Sequence, residues 1–215
     1  FSVAIVLAIF RTAMIAYLAI SQKQRSKKEQ SQLVLDPRDK VSVIIPAYNE
    51  EITVLATIKS LLNLDYPNYE LIFVDDGSND KTFEMVSKMY GDHPKVRLFT
   101  KPNGGKASAL NYGIQQSDAQ FVLCIDADTQ LKADALKQLM KYFNKSSVAA
   151  VAGSVKVGNV HNILTHWQSI EYVTSQNMDR RAFDLLNMIS VVPGAIGAFR
   201  RSVILEVGGF TTDTL

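Results

Sequence analysis

Two aspartates separated by one residue, Asp126 and Asp128 in Cys124-Ile125-Asp126-Ala127-Asp128-Thr129, have the spacing of a paired-carboxylate site. At the end of a strand, side chains two apart can point to the same side. Two carboxylates held that close repel unless a cation lies between them. A hard divalent ion, Mg²⁺ or Mn²⁺, completed by phosphate oxygens and water, suits such a pair. Taken alone, Asp-x-Asp is more often a turn or a helix cap. Three further polar clusters change that balance: Pro46-Ala47-Tyr48-Asn49-Glu50, Asp75-Asp76-Gly77-Ser78, and Lys101-Pro102-Asn103-Gly104-Gly105-Lys106. In the second, one carboxylate can accept a hydrogen bond from a base N–H or a ribose hydroxyl. The other can hold the loop, with Gly77 at positive φ. In the third, a glycine pair before a helix N-terminus and an adjacent ammonium suit phosphate. Neither a P-loop pattern nor a dinucleotide-binding glycine fingerprint is present.

The elements that must position these clusters follow from hydrophobic periodicity. Short β-branched runs at 41–48, 70–76, 95–101, 120–128 and 147–157 read as strands, and 189–201 follows a long helical stretch over 162–187. Between them, 50–64, 79–90, 105–117 and 132–144 have helical spacing, and a short helix precedes Gly208-Gly209. Strands alternating with helices predict an α/β fold, a mainly parallel sheet flanked by helices. In such sheets ligands bind at the carboxyl ends of the strands, where all four polar clusters fall. Cys124 and the strand residues Phe73, Phe99 and Phe121 read as core. His93, His161 and His166 do not cluster in sequence, and no Ser-His-Asp order is visible.

Charge and cysteine content narrow the class. The chain carries a net charge of +2, but residues 1–40 contribute four net positive charges, so the body from 41 to 215 is slightly acidic. That distribution argues against a nucleic-acid partner. A lone cysteine excludes an internal disulfide and a Cys-rich zinc cluster. Residues 1–20 are apolar apart from Arg11 and a few small hydroxyl residues, and a helix of that length spans ~30 Å, the thickness of a bilayer core. The basic run 21–30 directly after it predicts a cytoplasmic location for the body of the chain, with Tyr17 near the interface. A signal peptide carries its charges before the apolar run, the reverse of the order here. The expected organisation is a transmembrane helix over 1–20, open to a start upstream of Phe1, a basic cytoplasmic linker over 21–40, and a catalytic-type α/β domain over 41–215.

The ordered motifs VSVIIPAYNEE, VDDGSND, KPNGGKASALNYG and CIDADT resemble the family 2 glycosyltransferases of GT-A, Rossmann-like fold, over about residues 41–215. Within that family the chain is most similar to membrane-embedded processive synthases of β-linked glycans: poly-β-1,6-N-acetylglucosamine, chitin-oligosaccharide, hyaluronan and cellulose synthases. The resemblance implies that Ala47, Tyr48 and Glu50 line the base and ribose. It implies that Asp75 bonds uracil with Asp76 beside it, and that Lys106 contacts the diphosphate. Asp126 and Asp128 become the catalytic metal pair for Mg²⁺ or Mn²⁺, Asp128 the more direct ligand, and VVPGAIGAFRR places Gly194 and Ala195 near the acceptor sugar.

The family's acidic base follows a Gly-Gly-Phe segment. Gly208-Gly209-Phe210 is present and Asp213 is an acid after it, but the base is expected beyond Leu215, as are a Q-x-x-R-W motif and further membrane helices. The implied function is inverting transfer of a sugar, N-acetylglucosamine favoured, from a UDP-sugar to a growing β-linked polysaccharide at the cell (inner) membrane. These residues alone are expected to bind nucleotide-sugar without polymerising it. The alternatives are single transfer to a lipid or polyprenyl phosphate acceptor, and a non-catalytic membrane-tethered nucleotide-binding module.

Overall fold

The structure, a computed structural model, describes residues 2–30, 39–154, 167, 178–186, 188 and 196–212. They divide between two compact units. The first contains α1 (Ser2–Gln30) and α6 (Arg180–Leu185). Residues Val3–Ser26 of α1 are long and apolar enough to cross a membrane. The helix does not stop at Ile20 but continues through the basic run to Gln30, so the first ten residues assigned to the linker are helical. Gln22 joins α1 to α6: its Nε2 donates to Asp184 Oδ2 at 2.5 Å and its Oε1 accepts from Arg181 Nη1 at 3.0 Å. Most of the helix expected over 162–187 lies outside the described residues.

The second unit is built on six strands: β1 (Val41–Ala47), β2 (Tyr69–Asp75), β3 (Val96–Thr100), β4 (Phe121–Ile125), β5 (Ala150–Ala152) and β6 (Ile196–Arg200). Their order is β3-β2-β1-β4-β6-β5. The β1–β2, β1–β4 and β2–β3 pairings are parallel, whereas β6 runs antiparallel to both β4 and β5. Every residue of β1 and β4 is buried, which explains their almost wholly apolar sequences; the exception, Ser42, donates its hydroxyl to Glu70 Oε1 at 2.7 Å. Helices α2 (Val54–Leu62), α3 (Thr82–Tyr90), α4 (Gly105–Gln116) and α5 (Ala135–Met140) follow their strands, and α7 (Arg201–Glu206) follows β6. In α2 the buried positions Val54, Thr57, Ile58 and Leu61 repeat at three- and four-residue spacing, forming one apolar stripe. Helix α4 contributes Ala109, Leu110 and Ile114 to a core with Ile44, Ile72, Val74, Val122 and Ile204. Cys124 lies in the same core, and burial pushes its thiol up to about 12, leaving it a neutral apolar filler.

Several boundaries differ from the sequence expectation. Residues 51–53 form a turn, so α2 starts at Val54. Among the described residues of the strand expected over 147–157, only Ala150–Ala152 is β-strand, and 132–144 is split into α5 and a 3₁₀ turn over Lys141–Asn144. Strand β4 ends at Ile125, and Asp126 opens a turn in which Thr129 N–H donates to Asp126 O at 3.0 Å. The two-residue alternation of a strand therefore does not govern Asp126 and Asp128; the turn places them.

Candidate functional site

The loops after β1, β2, β3 and β4 belong to one sheet edge, and side chains stitch them together. Ala47, buried at the end of β1, accepts at its carbonyl from Asp76 N–H at 2.8 Å. Beyond it Asn49 adopts a left-handed conformation (φ 56°), which Asn tolerates better than most residues. Asn49 N–H donates to Ser78 Oγ at 3.0 Å, and its Oδ1 accepts from Asn79 N–H at 2.8 Å. Tyr48 is exposed, its hydroxyl accepting from Asn79 Nδ2 at 3.3 Å. Glu50 donates its N–H to Thr82 Oγ1 at 2.8 Å, and its Oε2 accepts from Thr53 Oγ1 at 2.7 Å. Asp80 accepts from the Thr82 N–H (2.9 Å), the Thr82 hydroxyl (2.5 Å) and the Glu51 N–H (3.2 Å). Desolvation alone would raise the Asp80 carboxyl; the Thr82 and Glu51 hydrogen bonds outweigh it and hold the group below its usual range.

The adjacent aspartates at the end of β2 have separate tasks. Asp76, buried at 3% exposure, holds the loop after β3: it accepts from Gly105 N–H at 2.7 Å, from Gly104 N–H at 3.2 Å to each oxygen, and from Lys101 Nζ at 2.5 Å. The first amides of α4, which the sequence marks as a suitable phosphate seat, are thus taken by a carboxylate of the protein itself. Asp75 is equally buried. Its Oδ2 accepts from Thr100 Oγ1 at 3.1 Å and Ser78 N–H at 3.3 Å, while its Oδ1 is shut off from solvent with no hydrogen-bond partner. A buried carboxylate oxygen without a donor costs stability, and one placed at a strand end has the chemistry to accept a ligand N–H.

Gly77 lets the second and third loops touch. It has φ +72°, and a Cβ built there would lie 2.9 Å from Asn103 N. Gly77→Ala is expected to cost about 1–3 kcal/mol, from strain and the backbone clash together. Chemical denaturation measures this, and a loss under about 0.5 kcal/mol, the range of neutral surface changes, would show that the loops separate freely.

At the end of β4, Lys106 of α4 forms an ion pair with Asp126 Oδ1, an oxygen otherwise closed to solvent and outside hydrogen-bond geometry with any neighbour. Asp128 is exposed, its Oδ1 accepting from Thr129 Oγ1 at 3.3 Å. Among the described residues no group of three or more His, Cys, Asp or Glu side chains could hold a metal. Asp126 and Asp128 offer two hard oxygen donors and nothing soft. They fit Mg²⁺ or Mn²⁺ with the other positions filled by diphosphate and water oxygens, and do not fit a closed protein cage.

Ala47, Asp75, Asp76, Lys106 and Asp126 are thus joined through backbone and side-chain contacts. Tyr48 and Glu50 are attached through the loop after β2, and Asp128 lies two residues beyond Asp126. Gly194, Ala195 and Asp213 lie outside the described residues. The stitching residues Asn79, Thr100 and Lys101 carry no local signal of such a role, because their partners stand on other loops. Only Asp80-Lys81-Thr82 could have been noticed, as an Asx turn opening a helix.

Glycosyl transferase family 2 matches residues 42–208. Poly-β-1,6-N-acetyl-D-glucosamine synthase of Staphylococcus epidermidis is 35% identical over 176 residues, covering 81% of this chain and 43% of the relative. The protein of that name from Staphylococcus aureus (strain COL) is 30% identical over 191 residues, covering 88% and 46%. The chain therefore spans less than half the length of these curated relatives. Among solved structures, mannosyltransferase PcManGT from Pyrobaculum calidifontis, in complex with GDP-Man and Mn²⁺, superposes with TM-score 0.63 at 23% identity, over 94% of this chain and 60% of that one. S. aureus TarS 1-349 in complex with UDP-GlcNAc gives TM-score 0.57 at 21% identity, over 78% and 47%. These two likenesses establish the GT-A architecture, the expected α/β fold with its mainly parallel sheet. With the family matched over most of its length, the chain belongs to glycosyl transferase family 2.

Proposed function

We propose that this chain is the donor-binding part of an inverting glycosyltransferase that transfers N-acetylglucosamine from UDP-N-acetylglucosamine to a growing β-linked polysaccharide. The reaction takes place at the cell membrane, with the catalytic domain in the cytoplasm. The observation that carries this reading is the pairing of a buried, unpartnered acceptor, Asp75 Oδ1, with a cationic and two anionic groups, Lys106, Asp126 and Asp128, at the same sheet edge. Asp75 accepts the uracil N–H. Tyr48 and Glu50 border the base and ribose, and Asp76 fixes the loop from which Lys106 reaches the diphosphate. Asp126 and Asp128 hold the divalent cation, which when bound supplies Lewis-acid stabilisation of charge on the departing UDP. The acceptor hydroxyl oxygen attacks the anomeric carbon, the bond to the diphosphate breaks, and UDP leaves with the electron pair. The hydroxyl proton passes to a carboxylate base. Relatives named as poly-β-1,6-N-acetyl-D-glucosamine synthases support the sugar and the polymer product. The apolar helix over Val3–Ser26, with Lys23, Arg25, Lys27 and Lys28 gathered at its C-terminal end, supports the membrane placement.

Calorimetric titration of the protein with UDP, GDP and UDP-N-acetylglucosamine, with and without Mn²⁺, tests this reading. UDP binding strengthened by Mn²⁺ is expected, with the metal-dependent increment lost in Asp128→Ala. A folded protein that binds no UDP in either condition would overturn the reading. Mn²⁺-independent binding unaffected by the substitution would reduce it to a nucleotide-binding module. Radiolabel from UDP-N-acetylglucosamine recovered in polymer, as opposed to a lipid-linked monosaccharide, separates polymerisation from single transfer.

A further inference from the structure

Asn49 is, among the described residues, the one non-glycine residue with positive φ, 56°. Such a conformation persists where the surroundings over-determine it. Here a ladder of hydrogen bonds between the loops after β1 and β2 does so, and both ends of Asn49 belong to it. Its N–H donates to Ser78 Oγ at 3.0 Å, and its Oδ1 accepts from Asn79 N–H at 2.8 Å. On one side of it the Tyr48 hydroxyl accepts from Asn79 Nδ2 at 3.3 Å. On the other, Glu50 N–H donates to Thr82 Oγ1 at 2.8 Å and Glu51 Oε2 accepts from Lys81 N–H at 3.1 Å. Residues 48–51 are thereby fastened to residues 78–82 as one unit.

The ladder reaches the base acceptor through Ser78. That residue receives the Asn49 N–H at its hydroxyl and gives its own N–H to Asp75 Oδ2 at 3.3 Å. Thr100 Oγ1 holds the same oxygen at 3.1 Å, so Oδ1 is left as the buried, unpartnered acceptor. Asn49 therefore stands between the two groups that meet the base: Tyr48 by way of Asn79, and Asp75 by way of Ser78. The diphosphate end has other supports. Asp76 receives the Gly104 and Gly105 amides and the Lys101 ammonium, and Lys106 pairs with Asp126.

We infer that Asn49 is a positioning residue for the base: its left-handed backbone and its carboxamide hold Tyr48 and Asp75 in one register, and so set selectivity for uracil without governing the diphosphate and metal groups. The inference rests on the donor-binding reading above and divides that site into two separately built halves. The chemistry of selectivity follows from Asp75 Oδ1. Uracil presents an N3–H, which a carboxylate oxygen accepts, whereas cytosine presents a bare N3 lone pair beside its amino group. A hydrogen bond weakens steeply with distance and angle, so only a fixed acceptor tells the two bases apart. A buried polar group rejects the analogue that leaves it unpaired.

The test is calorimetric titration of the full chain with UDP and with CDP, each with and without Mn²⁺, in the parent and in Asn49→Ala, Asn49→Gly and Asn49→Asp. The parent should prefer UDP to CDP by about 10- to 100-fold, the worth of one charged hydrogen bond. Asn49→Ala loses the Oδ1 acceptor and resists positive φ, so UDP affinity should fall about tenfold and the preference shrink to within about threefold. The factor by which Mn²⁺ strengthens UDP binding should stay within about twofold of the parent, because its groups stand on other loops. With UDP-N-acetylglucosamine as donor, KM should rise as the Kd does while kcat stays within about twofold, the mark of lost uniform binding. Asn49→Gly keeps the backbone shape without the carboxamide and should be intermediate; it also serves if the alanine variant does not fold. Asn49→Asp keeps an acceptor and tolerates the left-handed backbone, so it should restore most of the preference. General destabilisation would not alter a ratio between two ligands in this way. Folded alanine and glycine variants that keep the UDP preference would overturn the inference, as would a preference and a Mn²⁺ factor that fall together. A parent that binds UDP and CDP alike would overturn it too, while leaving nucleotide binding in place. A parent that binds no UDP in any condition removes the donor-binding reading and this inference with it.

Discussion

Asp76→Ala is expected to destabilise the α/β unit by about 3 kcal/mol, the lower end of the range for breaking a buried ion pair, because Lys101 keeps a path to solvent. The carboxylate receives the amides of Gly104 and Gly105 and the Lys101 ammonium, and it is itself almost fully buried. Its removal leaves a mostly buried cation and the opening amides of α4 without an acceptor, each a desolvated donor. Lys106 follows Gly105 directly, so the loss propagates to the site: UDP affinity should fall together with stability. Chemical denaturation with and without UDP reads both quantities. Asp76→Asn is the informative companion, since it keeps an acceptor for the amides and removes only the charge; it should lose less than the alanine variant. A loss under about 1 kcal/mol in Asp76→Ala, the size of an ordinary exposed hydrogen bond, would mean that the loop is held by other contacts.

Asp75→Asn should behave in the opposite way, weakening ligand binding without weakening the fold. The Oδ2 contacts to Thr100 and Ser78 can be kept by the amide oxygen. The amide nitrogen then stands where Oδ1 now lies buried and unpartnered, presenting a donor to a donor. The lost charged hydrogen bond is worth about 1.5–3 kcal/mol, or roughly 10- to 100-fold in UDP affinity. In the unliganded protein the same exchange removes a buried anionic oxygen that has no donor, so the thermal midpoint should hold steady or rise. Such a division, in which a group costs the fold and serves the ligand, is common at binding sites. Calorimetry and thermal unfolding of one variant check both halves. Undiminished UDP affinity would remove Asp75 from the binding site, and a large drop in midpoint would make it a structural residue.

The contrast between these neighbours marks the limit of what their sequence conveys. Asp75-Asp76 reads as two equivalent carboxylates before a Gly-Ser turn, and the division into one that binds and one that holds was conceivable but not assignable. The assignment depends on which side chain meets Gly104 and Gly105, whose amides arrive from a loop twenty-eight residues later. Likewise the Gly-Gly-Lys segment looked like a free helix N-terminus. The fold fills that seat with Asp76, so Lys106 is left to act through its side chain.

The sequence by itself determined the elements and their class. Apolar β-branched runs bury on both faces only in a covered parallel sheet, and an amphipathic stripe such as Val54, Thr57, Ile58 and Leu61 needs no partner's identity to be read as a helix. It also determined that the polar clusters fall at strand ends, and that residues 1–20 are apolar enough for a bilayer. Tertiary structure alone decided the antiparallel placement of β6 and the end of β4 before Asp126. It alone paired Lys106 with Asp126 and Asn111 with Phe210. The physical reason is range. Periodicity and turn chemistry act between residues a few positions apart, whereas the contacts that make the site join residues 20 to 99 positions apart. Those contacts exist only after the sheet has brought its strand ends to one edge.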